Sequence, residues 1–111
     1  MPHKYSLSKL AETDVISAYK YIAEEELNPT EARLVYERIV DTLEMLSQFP
    51  EIGQYRPDIT SHPVKVFPVP KTRYLVFYDP QSQPVFIARV LSSSMNLTSL
   101  LKGVDQFPVI G

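Results

Sequence analysis

The sequence contains no cysteine and only two histidines. The absence of cysteine excludes disulfide bonds and thiolate metal sites, and it suits a reducing compartment. The two histidines, His3 and His62, cannot form a closed zinc site, and both are expected at the surface. No apolar run approaches the length of a membrane span, and the first residues carry no apolar signal segment. We therefore expect a cytoplasmic protein with no metal, no cofactor and no membrane association.

The two halves of the chain differ in charge. Residues 1–55 carry five Lys/Arg against ten Asp/Glu, and residues 56–111 carry six against three. The net charge of -2 therefore hides an acidic first half and a mildly basic second half. A basic surface can still meet nucleic acid, but the overall field does not help the protein to find it.

The first half of the chain predicts a short strand and two helices. Residues 4–7 are a plausible strand, and Ser8 can cap the helix that follows. Asn28 followed by Pro29 is a strong start signal for the second helix. Because the connection is short, the two helices should form an antiparallel hairpin. The Glu24–Glu26 triplet at the end of the first helix is interpreted as solvated, with a docking patch for a basic partner segment as the alternative.

The second half of the chain predicts three strands. They cover residues 64–67, 74–78 and 85–91, and the last two form a hairpin. The predicted fold is α+β, with the helical hairpin on one face of a small, mainly antiparallel sheet. A single domain is expected over residues 1–111, and residues 97–111 form an irregular tail with at most one helical turn. The residues expected to be buried are Ala18, Ile22, Ile39, Leu43, Phe86 and Val90.

Arg89 lies in the middle of the last strand among aliphatic residues. Strand alternation puts it on one face with Val85 and Ile87, and it puts Phe86, Ala88 and Val90 on the other. With a single helical layer, we expect the face around Val85, Ile87 and Arg89 to be exposed and filled by a partner chain. An unpaired guanidinium there would be costly. Arg89 and Arg73 are therefore expected to meet a partner's carboxylate or a phosphate, or to form an internal ion pair with Asp79 or Asp58.

Several other side chains have two possible interpretations. Tyr74 and Tyr78 could act as general acids, but strand tyrosines more often bury the ring and leave the hydroxyl in water. Lys65 and Lys71 are expected to be solvated rather than catalytic. The residues Ser92 to Ser94 are expected to form a turn.

The order and spacing of several segments resemble the RelE/ParE toxins of bacterial toxin–antitoxin pairs, over about residues 4–96. The segments are Ala11-Glu-Thr-Asp14, Tyr19-Lys-Tyr-Ile22, Leu43-Glu-Met-Leu-Ser-Gln-Phe-Pro50, Gly53-Gln-Tyr-Arg-Pro57 and Arg73-Tyr-Leu-Val-Phe-Tyr78 with the strand that follows it. The resemblance implies a small toxin, of the plasmid-stabilisation type, that causes growth arrest. It also implies a hetero-oligomer in which a co-expressed antitoxin wraps a flexible segment around the toxin.

The superfamily divides by chemistry. RelE-like members cleave mRNA in the ribosome with Lys and Arg on the sheet and a Tyr or His near the C-terminus, whereas ParE-like members lack that set and inhibit DNA gyrase. Lys65, Lys71, Arg73 and Arg89 match basic positions of the family. Residues 92–111, however, contain neither His nor Tyr. Because RNA transesterification needs groups that take and give protons, the chain is more similar to the ParE-like members.

We therefore expect a binding toxin rather than an enzyme, directed at DNA gyrase and neutralised by its cognate antitoxin. One alternative is a ribosome-dependent mRNA endonuclease that uses Lys65, Lys71, Arg73 and Arg89. The other alternative is an inactive homologue that only binds its antitoxin. The residues expected to bind the target or the antitoxin are Arg33, Tyr36, Arg73, Val85, Ile87 and Arg89.

Overall fold

The computed structural model describes residues 5–101, so His3, Lys4 and the tail 102–111 lie outside the described residues. The described helices are α1 (Lys9–Lys20), α2 (Pro29–Gln48) and α3 (Leu97–Leu100), with a π-helical turn at Tyr21–Glu25 and a 3-10 turn at Pro50–Ile52. The described strands are β1 (Tyr5–Leu7), β2 (Gln54–Tyr55), β3 (Lys65–Pro68), β4 (Tyr74–Asp79) and β5 (Val85–Ser92). Within residues 5–101, no helix is both long enough and apolar enough to cross a membrane.

Helix α1 begins where the sequence predicts it. The Ser8 hydroxyl oxygen accepts a hydrogen bond from the Ala11 amide at 2.9 Å, and the hydroxyl donates to the Ala88 carbonyl at 2.7 Å. The cap therefore satisfies a free amide of the helix and also attaches α1 to β5. Ala11 and Ala18 are buried on the same side of the helix, where their small side chains allow close packing.

The turn between α1 and α2 is tight. The amide of Glu26 donates to the Tyr21 carbonyl at 3.1 Å, and Leu27 follows in the left-handed region at φ 53°. The Asn28 side chain then accepts from the Glu31 amide at 3.1 Å and begins α2. The predicted cap and the predicted helical hairpin are both confirmed. The buried residues of α2 are Ala32, Val35, Ile39, Thr42, Leu43 and Leu46.

The five described strands form one sheet in the order β1-β5-β4-β3-β2. β1 runs parallel to β5, and the other neighbours are antiparallel, which confirms a mainly antiparallel sheet. The sequence did not predict β2, because Gln54 and Tyr55 read as part of a loop. The two residues gain strand character only by pairing with Val66 and Lys65.

A β-bulge interrupts the pairing of β4 with β5. Phe77 lies opposite Arg89, whereas Tyr78 lies opposite Ile87, so Ala88 is an extra residue in β5. A bulge changes which side chains share a face. Val90 therefore packs in the helix-facing core with Val85 and Ile87, and the predicted grouping of Val90 with Phe86 and Ala88 is wrong.

Both faces of the sheet are covered. The hairpin covers one face, and a second cluster covers the other, with Ile59, Val64, Leu97, Leu100 and Leu101 packing over strand residues. The predicted exposed face around Val85, Ile87 and Arg89 is therefore wrong, since these residues are 2%, 0% and 7% exposed. They lie under the helices, and the second apolar face is covered by the chain itself. Of the predicted core residues, only Phe86 is half-buried rather than buried.

Candidate functional site: an open cleft at Arg73

Arg89 forms an internal ion pair with Asp14 of α1. Its Nε and Nη2 atoms donate to the two carboxylate oxygens of Asp14 at 2.8 and 3.0 Å, and the Val90 amide donates to the same carboxylate at 3.0 Å. The two side chains are only 9% and 10% exposed. A two-bond pair of this kind is strongly oriented and attaches the middle of α1 to β5. The internal alternative is therefore correct for Arg89, but its partner was not predicted.

The sequence carried a signal for Asp14. It lies three residues after Ala11 and four before Ala18, on the helix stripe that faces the sheet. The two predicted partners are engaged elsewhere. Asp58 forms two hydrogen bonds with Arg56, and this contact lowers the pKa of Asp58 below its ordinary value. The Asp79 carboxylate accepts from the Gln81 amide at 2.9 Å in the turn after β4.

Arg73 lies just before β4, and its ion pair is open to solvent. Its Nη2 atom lies 3.3 Å from the Glu26 carboxylate, and the two side chains are 38% and 39% exposed. The guanidinium carbon lies 5.6 Å from the ring centroids of both Tyr21 and Tyr74, within the range of a cation–π contact. Glu26 therefore pairs with a residue of its own chain. The sequence had suggested a solvated helix end or a docking patch for a basic partner segment, and it did not predict this pair. Glu24 and Glu25 are exposed.

These residues belong to a cleft of about 560 Å³ between α1 and the adjoining ends of β4 and β5. We call it the Arg73 cleft; its lining includes Asp14, Ser17, Ala18, Tyr21, Glu26, Arg73, Tyr74, Val90, Leu91, Ser92, Ser94 and Met95. The Ser92 and Ser94 hydroxyls lie 2.8 Å apart, and the chain turns after Ser92, as predicted. The cleft thus offers one accessible guanidinium among apolar and aromatic walls.

The four basic residues considered for RNA cleavage are not brought together. Lys65 pairs with Tyr78 at one end of β4, and Arg73 precedes the other end, so their backbones are separated by about 16 Å along the strand. The Lys65 Nζ donates to the Glu51 carbonyl at 2.8 Å. Lys71 is exposed in the turn before β4, at φ 61°. Because Arg89 is buried against Asp14, the four cations do not surround one reacting phosphate.

The Tyr78 hydroxyl is hydrogen-bonded to the backbone of the loop after α2. It donates to the Pro50 carbonyl at 2.6 Å and accepts from the Gly53 amide at 2.9 Å, so the predicted solvated hydroxyl is wrong. Burial raises the pKa of Tyr78 above its ordinary value, although the hydrogen bond from Gly53 acts in the opposite direction. Within residues 5–101, no group of three His, Cys, Asp or Glu side chains is placed to hold a metal ion.

The helical hairpin presents exposed aromatic side chains on its outer side. Tyr19 and Tyr36 meet edge to face with ring centroids 6.4 Å apart, and they are 41% and 46% exposed. Arg33 lies one turn before Tyr36 and contacts Glu37 at 3.4 Å, with 78% of its side chain exposed. Ile16, three residues before Tyr19, is also exposed. We call Ile16, Tyr19, Arg33 and Tyr36 the hairpin patch.

Comparison with known families matches residues 5–97 to the family described as ParE toxin of type II toxin-antitoxin system, parDE. The chain belongs to the ParE toxin family. Among solved structures, the chromosomal ParDE TA system from P. aeruginosa has a similar fold, with a TM-score of 0.65 and 18% sequence identity. The similarity covers 79% of this chain and 92% of that chain. No curated protein sequence matches this chain. The predicted superfamily and its ParE-like branch are thus confirmed.

Proposed function

We propose that this ParE-family toxin acts in the cytoplasm by binding and inhibiting DNA gyrase, and that a cognate antitoxin neutralises it in a hetero-oligomer. The observation that carries the proposal is the dispersal of the four basic side chains. Arg89 is paired with Asp14 in the core, while Arg73 and Lys65 lie near opposite ends of β4. A phosphoryl-transfer site needs its charges convergent on one group, and it needs proton donors and acceptors beside them.

The hairpin patch supports a mechanism that works through a surface. Aromatic residues and arginine dominate binding energy at protein interfaces when a partner desolvates them. Tyr36 and Arg33 offer such groups on a rigid helix, and Tyr19 packs against Tyr36. An inhibitor needs only a surface that fits its target, and residues on two packed helices can provide one without chemistry.

The proposal is tested with purified, antitoxin-free protein in a gyrase supercoiling assay. We expect the wild type to inhibit supercoiling and to leave ribosome-bound mRNA intact. Tyr36→Ala should weaken inhibition by about tenfold or more, because an exposed interface aromatic is lost. Tyr55→Ala is the matched control. Tyr55 is similarly exposed, at 51%, but it lies in the edge strand β2 and not on the helical hairpin.

Three other outcomes would contradict parts of the proposal. Equal inhibition by wild type and Tyr36→Ala would exclude the hairpin patch as the contact surface. Cleavage of mRNA at defined codon positions, lost in Arg73→Ala with the fold retained, would favour the endonuclease. A wild-type protein that binds the antitoxin but neither inhibits supercoiling nor cleaves mRNA would favour an inactive homologue.

A further inference from the structure

We propose that Glu26 is an internal substitute for a carboxylate of the antitoxin, and that this partner carboxylate takes its place on Arg73 when the complex forms. The inference rests on the proposed pairing with an antitoxin and specifies its chemistry. The occupant of the Arg73 cleft is a segment that carries an Asp or Glu flanked by apolar side chains.

The ion pair of Arg89 with Asp14 is held more firmly than the ion pair of Arg73 with Glu26. Arg89 and Asp14 share two hydrogen bonds and are about nine-tenths buried. Arg73 and Glu26 share one contact of 3.3 Å, and more than a third of each side chain is exposed. An exposed pair of charges contributes little because water screens it and side-chain entropy opposes it. The Arg73 pair can therefore exchange a partner, whereas the Arg89 pair cannot do so without opening the core.

Within the exposed pair, the Arg73 side chain has more contacts than the Glu26 side chain. The Arg73 carbonyl accepts from the Ser93 amide at 2.7 Å, which holds its backbone against the end of β5. Two tyrosine rings, those of Tyr21 and Tyr74, also lie beside its guanidinium. Glu26 lies in the turn after α1, directly before Leu27, which is 82% exposed and has a positive φ. Both backbones are held, since the Glu26 amide donates to the Tyr21 carbonyl. The difference lies in the side chains: the guanidinium contacts two rings besides Glu26, whereas Arg73 is the described partner of the Glu26 carboxylate.

The surroundings of Arg73 define the rest of the occupant. Ala18, Val90, Leu91 and Met95 line the same cleft and would contact apolar side chains next to the incoming carboxylate. Excluding water from the cleft would strengthen the new ion pair, because the effective dielectric constant falls. The exchange replaces one carboxylate by another and keeps the charge at Arg73 balanced. A more highly charged phosphate would instead face the existing carboxylates of Asp14 and Glu26.

The test measures binding of the purified cognate antitoxin by isothermal titration calorimetry. Arg73→Gln should weaken binding by about 30-fold or more, since a partner charge is left without its counter-ion. Glu26→Gln should tighten binding by about two- to fivefold, because it removes the competing carboxylate of an exposed pair. Arg56→Gln is the matched control and should bind within twofold of wild type. Arg56 also pairs with an exposed carboxylate, and 43% of its side chain is exposed.

A charge-reversal experiment identifies the partner group directly. Each Asp or Glu of the antitoxin is changed to Lys, one at a time, and its binding to Arg73→Glu is measured. One of these changes should restore the binding that Arg73→Glu loses. Circular dichroism should show that Arg73→Glu is folded. Wild-type affinity in Arg73→Gln would overturn the inference and leave the proposed function standing. So would weaker binding by Glu26→Gln, which would show that Glu26 itself contacts the antitoxin. Failure of the wild type to bind the antitoxin would overturn both.

Discussion

Replacing Arg89 by methionine should destabilise the protein far more than replacing Arg73 by methionine. The Asp14 side chain is only 10% exposed. In Arg89→Met its carboxylate loses the guanidinium, and the Val90 amide is the one described hydrogen-bond donor that it keeps. Breaking a buried pair by removing one member typically costs about 3–5 kcal/mol, because the remaining charge loses its compensation. The exposed pair of Arg73 with Glu26 should contribute about 0–1 kcal/mol.

The measurement is urea unfolding followed by far-UV circular dichroism, with the free energy of unfolding obtained by linear extrapolation. A double variant, Asp14→Leu with Arg89→Met, separates the two causes of instability. Since both charges are then removed, the double variant should be more stable than Arg89→Met alone. The difference between the double variant and the sum of the single variants gives the coupling energy.

If the free energy of unfolding of Arg89→Met lies within about 1 kcal/mol of the wild-type value, the ion pair does not hold α1 on the sheet. If Arg73→Met costs as much as Arg89→Met, exposure does not distinguish the two pairs, and the exchange proposed for Glu26 loses its basis.

Three further predictions concern the loop contacts and the helix cap. Tyr78 has a pKa raised above its unfolded value near 10, so its contribution to stability is complete below about pH 10 and is lost as pH rises through the folded pKa. Stability of wild type should therefore fall more steeply in alkali than that of Tyr78→Phe, measured by urea unfolding at a series of pH values. Gly53→Ala should cost about 1–3 kcal/mol because its Cβ overlaps the Tyr78 hydroxyl, and Tyr78→Phe should reduce that cost in thermal or urea unfolding. Asn28→Ala should cost about 1 kcal/mol through loss of the cap on the Glu31 amide, and an unchanged unfolding midpoint would contradict this.

The sequence alone determined the features that depend on near neighbours. Ser8 caps the helix three residues before Ala11, and Asn28 with Pro29 begins α2, because these hydrogen bonds close within one turn. Helical spacing likewise identified Ile39 and Leu43 as core residues. The fold class followed from the order of such local elements, and the quoted segments in that order resemble the family that the comparison then showed.

The tertiary structure alone decided the features that depend on distant pairs. The bulge at Ala88 is a property of two paired strands, so alternation within β5 could not show that Val90 turns to the helices. The Arg89 side chain pairs with Asp14 across 75 residues of sequence. Helical spacing places Asp14 on the stripe of α1 that faces the sheet, but only the folded chain brings that stripe to Arg89.

Coverage of the sheet is also a long-range property. The predicted exposed face was wrong because residues 59–64 and 97–101 fold over the side of the sheet that the helices leave open. The same arrangement leaves Arg73 accessible at the ends of β4 and β5, while Arg89 is enclosed beneath α1. Two arginines with similar surroundings in the sequence therefore differ in their exposure to water, because α1 covers Arg89 and leaves Arg73 accessible.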